Sequence, residues 1–298
     1  VSNGNLTGRL SVQLGDGKWK GPDGSIPIDQ AYDLYNRTRA TYNLQPTFRL
    51  SSSLAIPFKA SGNEKLQKTA DKMLRVVGGR TLAQGTLSGI NVCPWATPAC
   101  LAGCLGTTGH LNRPRNIRVR EARTRFEFDH PRHAWTLYNH EIERDTLRAL
   151  KLDMRLFWRP DILSDSAIWR NVPWLFDRHP QVTFYGYTKN EYGIQHYSKG
   201  GWFAPNYRLA VSASERWDPP AFERAANAGM AIATVFRIKS AEELPTEFLG
   251  IPVVDAISTD TWMIDNPGTV IGGLRALGKM WTDHTGFVHD VPTNKEKT

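Results

Sequence analysis

The sequence predicts an α/β fold, a full or partial (β/α) barrel of parallel strands with an N-terminal helical and loop extension. Three observations lead there. Short apolar segments of strand length alternate with helical segments from about residue 130 onward, and such alternation makes parallel βαβ units with right-handed crossovers. The units run in one uninterrupted series of roughly six, enough for a whole or partial barrel. No strand candidate is followed by a Gly-rich phosphate turn of the dinucleotide type, which counts against an open doubly wound sheet. Residues 1–80 are read as an extension packed on the barrel, 81–290 as the barrel domain with its cysteine loop, and 291–298 as a flexible tail.

The segment "LGDGKWKGPDGSIP" has the Gly, Pro and Asp punctuation of loops. A helix follows at "IDQAYDLYNRTRATYN". A second lies over "NEKLQKTADKMLRVV", where Leu66, Ala70, Met73 and Val77 recur at helical spacing before Gly78 and Gly79 stop it. "RTLAQGTLSGINV" reads as an extended segment leading into Cys93. After an arginine-rich run, "PRHAWTLYNHEIERDTLRALK" is an amphipathic helix through Trp135, Tyr138, Ile142 and Ala149, with Pro131 in its first turn. "DMRLFWRPD" is a strand, "SAIWRNVPWLFDRH" helical, "QVTFYGYTK" and "YRLAVSAS" strands, and "PPAFERAANAG" a short helix. "MAIATVFRI", "IPVVDAIS" and "TVIGGLRAL" complete the strands.

The chain has 298 residues, 40% hydrophobic and 22% charged, an ordinary globular composition with enough length for a core. It contains no apolar run of 18 residues, which excludes a spanning helix. "VSNGNLTGRL" lacks the profile of a secretory signal. Three cysteines are an odd number for a disulfide framework, so the expected compartment is the cytoplasm. The net charge of +8 favours polyanionic partners, nucleic acid or nucleotides. Arg113, Arg115, Arg118, Arg120, Arg123 and Arg125 concentrate that charge in "RPRNIRVREARTRF" and are the candidate nucleic-acid-binding residues. The plainer account is a solvated helix face partly balanced by Glu121 and Glu127.

Cys93, Cys100 and Cys104 all fall in "NVCPWATPACLAGCLGTTGH", with a Cys-x6-Cys-x3-Cys spacing. Thiolates are soft ligands, and closely spaced sets suit zinc or iron–sulfur clusters. The segment can hold plain thiols, a zinc ion with His110 as fourth ligand, or a [4Fe–4S] cluster with three protein ligands and one open iron. The cluster is favoured because the loop would lie at the carboxyl end of a strand, where α/β folds place their chemistry.

Taken together, "NVCPWATPACLAGC", "RLFWRPDI", "FYGYTK", "AIATVF" and "GIPVVDAISTDTWMIDNPGTVIGGLRALG" resemble the phage "gene product 88" family over about residues 80 to 288. That family is similar in layout to radical S-adenosylmethionine enzymes, in which a three-cysteine loop after the first barrel strand holds a cluster. The resemblance implies a [4Fe–4S] cluster and makes S-adenosylmethionine a candidate cofactor. The cysteine spacing here is x6/x3 rather than x3/x2, and no Gly-Gly-Glu-like segment follows the second strand.

The remaining candidates sit at strand ends. Asp161 is read as a catalytic or cofactor-binding acid, with helix N-capping as its structural alternative. Tyr187 and Ser212 are candidate cofactor contacts, and Lys189 is a candidate catalytic residue that would hold a phosphate or carboxylate. Asp255 and Asp260, in a series with Asp265, are candidate catalytic carboxylates. Among ten tryptophans, Trp95, Trp158, Trp202 and Trp262 are candidates for base stacking or for packing. The leading expectation is a phage-type iron–sulfur, radical-type barrel enzyme acting on a nucleotide or nucleic-acid base. The alternatives are a zinc-stabilised base-exchange transglycosylase of DNA or RNA and a non-enzymatic nucleic-acid-binding module.

Overall fold

The computed structural model describes residues 19–52, 54–59, 64–190 and 204–291. Residues 1–18 (which include the start of the N-terminal loop segment), Trp202 and the tail from residue 292 lie outside them. In chain order the helices are α1 (Ile28–Ala40), α2 (Glu64–Met73), α3 (Pro98–Ala102), α4 (Pro114–Asp129), α5 (Pro131–Leu150), α6 (Ile168–Asn171), α7 (Trp174–Arg178), α8 (Pro219–Asn227) and α9 (Trp262–Asp265). The strands are β1 (Val76–Gly79), β2 (Leu156–Arg159), β3 (Thr183–Thr188), β4 (Tyr207–Ser212), β5 (Ala231–Phe236), β6 (Glu247–Phe248), β7 (Ile251–Asp255), β8 (Ile271–Arg275) and β9 (Val288–His289). The chain forms two compact units, one of Val1–Pro94, Leu105–Phe184 and Ala204–Tyr207, the other of Trp95–Cys104, Tyr185–Phe203 and Arg208–Thr298.

In the first unit β1, β2 and β3 are parallel neighbours, with Val77 opposite Phe157 and Phe157 opposite Thr183. Helices α4 and α5 each begin with a proline in the first turn, where its missing N–H costs nothing. Helix α1 packs on both and buries Ala31, Tyr32 and Tyr35. Trp135, Leu137, Tyr138 and Ile142 of α5 are fully buried. So is Glu141, whose carboxylate accepts from Tyr32 Oη, Leu50 N and Ser51 N. These bonds fasten the N-terminal segment to α5.

The second unit has the strand order β3-β4-β5-β8-β7-β6, where β3 contributes its residues from Tyr185 on. The β4–β5, β5–β8 and β8–β7 pairs are parallel. The two-residue strand β6 pairs antiparallel with β7, and β9 adds parallel to the end of β5. Helix α8 starts at Asp218, whose side chain accepts from Ala221 N as an N-cap. Its Phe222 and Ala225 join Ile232, Phe236, Ile251 and Ile271 in a buried apolar cluster.

The mixed α/β architecture with parallel strands is therefore present. Among the described residues the sheet is not closed into the expected barrel: its strand path has two ends, β1 and β6. Beyond β5 the chain skips a position, builds the antiparallel β6–β7 hairpin at the far edge, and returns to insert β8.

Two local expectations also change. The helix read through Val77 stops at Met73, and Leu74 takes a left-handed conformation at φ 50°. Arg75 N then reaches back to Ala70 O, a helix-ending bond, so Val76 and Val77 enter β1 instead. "RTLAQGTLSGINV" forms turns, not a strand.

Candidate functional site

The cysteine segment does not assemble a metal centre. Among the described residues no group of three or more His, Cys, Asp or Glu is placed to hold a metal ion. Cys93 belongs to the first unit, where its Sγ accepts from Gly85 N at 3.4 Å and donates to Leu163 O at 3.6 Å. Cys100 and Cys104 belong to the second, at helix α3 and just beyond it. Thr97 Oγ1 caps α3 through Cys100 N, and Glu215 holds the same turn by accepting from Thr97 Oγ1 and Ala99 N. Burial would raise the Glu215 pKa, but these hydrogen bonds outweigh it and leave it below the ordinary value. His110 is exposed on a short 3-10 turn, Gly109–Asn112.

The donor geometry thus overturns the [4Fe–4S] cluster and the zinc ion with His110. With the cluster goes the footing for S-adenosylmethionine, the iron–sulfur redox or radical enzyme, and the zinc-stabilised transglycosylase. Three cysteines close in sequence were directed by a proline-started helical turn and by backbone contacts, not by a common ion.

Asp161, just past β2, enters a buried ionic network. Its Oδ1 accepts from Arg80 Nη1 at 2.8 Å, Ser164 Oγ at 2.5 Å and Ser166 Oγ at 2.8 Å. Arg80 also makes a two-pronged pair with Glu127 of α4, at 2.7 and 2.8 Å, and Tyr138 Oη donates to the same carboxylate. Burial would lower the Arg80 pKa, but Glu127 and Asp161 reverse this and keep it above its ordinary value. Burial, then Glu127, pushes the Tyr138 pKa well up. Arg80 was missed in the sequence, although a lone arginine directly after the apolar run "VVGG" is a signal for a buried partnered charge.

In the second unit Asp260 is fully buried. It accepts from Tyr185 Oη at 3.2 Å, and Tyr187 Oη lies 3.4 Å from its other carboxylate oxygen. Trp262 Nε1 donates to Tyr187 Oη at 2.9 Å. The two tyrosines are two residues apart and so share one face of β3. Asp255 Oδ1 accepts from Ile257 N and Ser258 N in its own turn. Lys189 is half-buried, its Nζ 5.3 Å from the Phe287 ring centre. Ser212 ends β4, half-buried.

The arginine run forms helix α4, and the fold sorts its members. Arg120 is buried, donating to Leu111 O at 2.8 Å and Gly106 O at 3.2 Å. Arg123 donates to Ser51 O, and Arg125 pairs with Asp129 one turn on. Arg113, Arg115 and Arg118 are exposed, with no hydrogen bond or ion pair among the described residues. Arg113 is the N-cap, and Arg115 and Arg118 lie in the N-terminal half, of a 16-residue helix whose first turn contains no acid. A helix N-terminus is already the positive end of the macrodipole, and these cations add to that positive charge.

Fold and site together define a mixed α/β protein with parallel strands that presents a basic helix start. The model of the gene product 88 family matches residues 57–290. The chain belongs to that family. No curated protein and no solved structure matches it, so no structural likeness supports the comparison with radical S-adenosylmethionine enzymes.

Proposed function

We propose that this gene product 88 protein is a nucleic-acid-binding protein that grips the phosphate backbone with Arg113, Arg115 and Arg118. The observation that carries the reading is these three exposed guanidinium groups, unpartnered among the described residues at an acid-free helix start. The net charge of +8 supports it through long-range attraction. Phosphate contacts of this kind position a strand without reading its sequence. We place the activity in the cytoplasm of the host cell, in keeping with the sparse, odd cysteine set. Among the described residues no helix is long and apolar enough to cross a membrane.

The test is fluorescence anisotropy with labelled duplex and single-stranded DNA and RNA over a salt series. The Arg113→Ala/Arg115→Ala/Arg118→Ala variant should bind more weakly, with a log K against log salt slope shallower by about 2 to 3 on duplex. Salt-independent binding by the wild type, or an unchanged slope in the variant, overturns the proposal.

A further inference from the structure

Strands β5 and β8 are parallel neighbours although they are not successive in the chain. In α/β sheets, ligands gather beyond the carboxyl ends of strands where sequential order breaks. A shallow depression lies beyond these ends, lined by Ile238, Lys239, Arg275, Ala276, Leu277 and Trp281. Its floor is apolar and firm, since Ile238 and Ala276 are buried at 2% and 4% exposure. Its rim carries two cations and an indole that is 38% exposed.

The rim is held in place. Arg275 Nη1 donates to Lys239 O at 3.1 Å and ties the two strand ends together. Arg237 donates to Trp281 O, to Asp283 O at 2.6 Å and to Asp290 Oδ1 at 2.6 Å, which anchors the segment bearing Trp281. The neighbouring carboxylates are already engaged, Asp290 by Arg237 and Glu243 by Lys239 N. The Lys239 ammonium and the second amino group of Arg275 make no hydrogen bond or ion pair among the described residues.

We infer that this depression is a mononucleotide site, taking the phosphate of a free nucleoside phosphate between Lys239 and Arg275 and its base against Trp281. Two cations suit one phosphate group rather than the repeated charges of a strand, and a guanidinium meets phosphate oxygens in matched pairs. An exposed indole beside Leu277 offers the flat apolar face on which any base can stack. The inference is independent of strand binding at α4.

Calorimetric titration of the full chain with adenosine 5′-monophosphate and with ribose 5-phosphate tests it. Lys239→Gln and Arg275→Gln should each weaken both probes about tenfold. Trp281→Ala should weaken the nucleotide by about tenfold and leave the sugar phosphate unchanged, while Trp281→Phe restores nucleotide affinity to within about threefold. No saturable nucleotide binding at millimolar concentration, or four variants that bind like the wild type, overturns the inference. So does a failure of phenylalanine to rescue. Labelled-strand binding is measured alongside, and its loss or survival in the α4 variant is a separate result.

Discussion

Arg80 and Glu127 form a two-pronged ion pair in which neither side chain is exposed to solvent. Removing one partner of such a pair leaves an uncompensated charge in the interior. Glu127→Gln should therefore destabilise the protein by about 3–5 kcal/mol, read as a lower urea midpoint. Asp161→Asn should cost less, because Ser164 and Ser166 remain as donors to the amide oxygen. A Glu127→Gln midpoint equal to that of the wild type would falsify the role assigned to the network.

Arg118 and Arg120 are two residues apart on α4 and should respond oppositely. Arg120→Ala removes charge-assisted bonds to Leu111 O and Gly106 O and should cost about 1.5–3 kcal/mol of stability. Arg118→Ala should leave the melting temperature within a degree or so and weaken only strand binding, since surface changes of this kind are nearly neutral. Thermal melts beside anisotropy measurements separate the two effects. Equal melting temperatures for both variants count against the sorting of the run.

His179 is buried, its Nε2 2.9 Å from Asn139 Oδ1, and burial followed by the nearby Arg178 depresses its pKa to about 4. Between pH 6.5 and about 4 the unfolded chain takes up a proton that the folded one refuses. Stability from this residue is thus present above pH 6.5 and falls as pH drops through that window, by a total on the order of 3 kcal/mol. Urea midpoints of the wild type and His179→Gln should converge as pH is lowered from 7 to 4. Parallel curves would show that the histidine titrates normally.

Gly272 of β8 lies against Trp262: a Cβ on it would fall 2.4 Å from the indole ring. The ring is fully buried. Gly272→Ala should destabilise by about 1–3 kcal/mol and lower the midpoint of near-UV unfolding. A neutral alanine would mean that the indole repacks freely.

Apolar runs such as "TFYGYT" and "AIATVF" were legible as strands because burial on both faces of a parallel sheet demands them. Strand β1 was hidden because Val77 continues the spacing of Leu66, Ala70 and Met73, and only the left-handed turn at Leu74 separates strand from helix. The cysteines misled because closeness in sequence does not direct side chains to a common point. The arginine run looked uniform because what divides it, carbonyl oxygens at Ser51, Gly106 and Leu111, comes from other segments. Arg80 has partners 47 and 81 residues away, beyond the reach of any local pattern.

The β6–β7 hairpin bears on how the protein behaves at high concentration. An uncovered strand edge recruits the edges of other molecules, and crowded solutions of such proteins gel or form fibres. Here the outermost strand is two residues long, bears the exposed Glu247, and faces Pro252, which has no N–H to offer. Leu249 and Gly250, at φ 52° and 75°, turn the chain back at once and leave no ladder long enough to copy. Many copies can then be held close together without this edge of one chain becoming a template for the next.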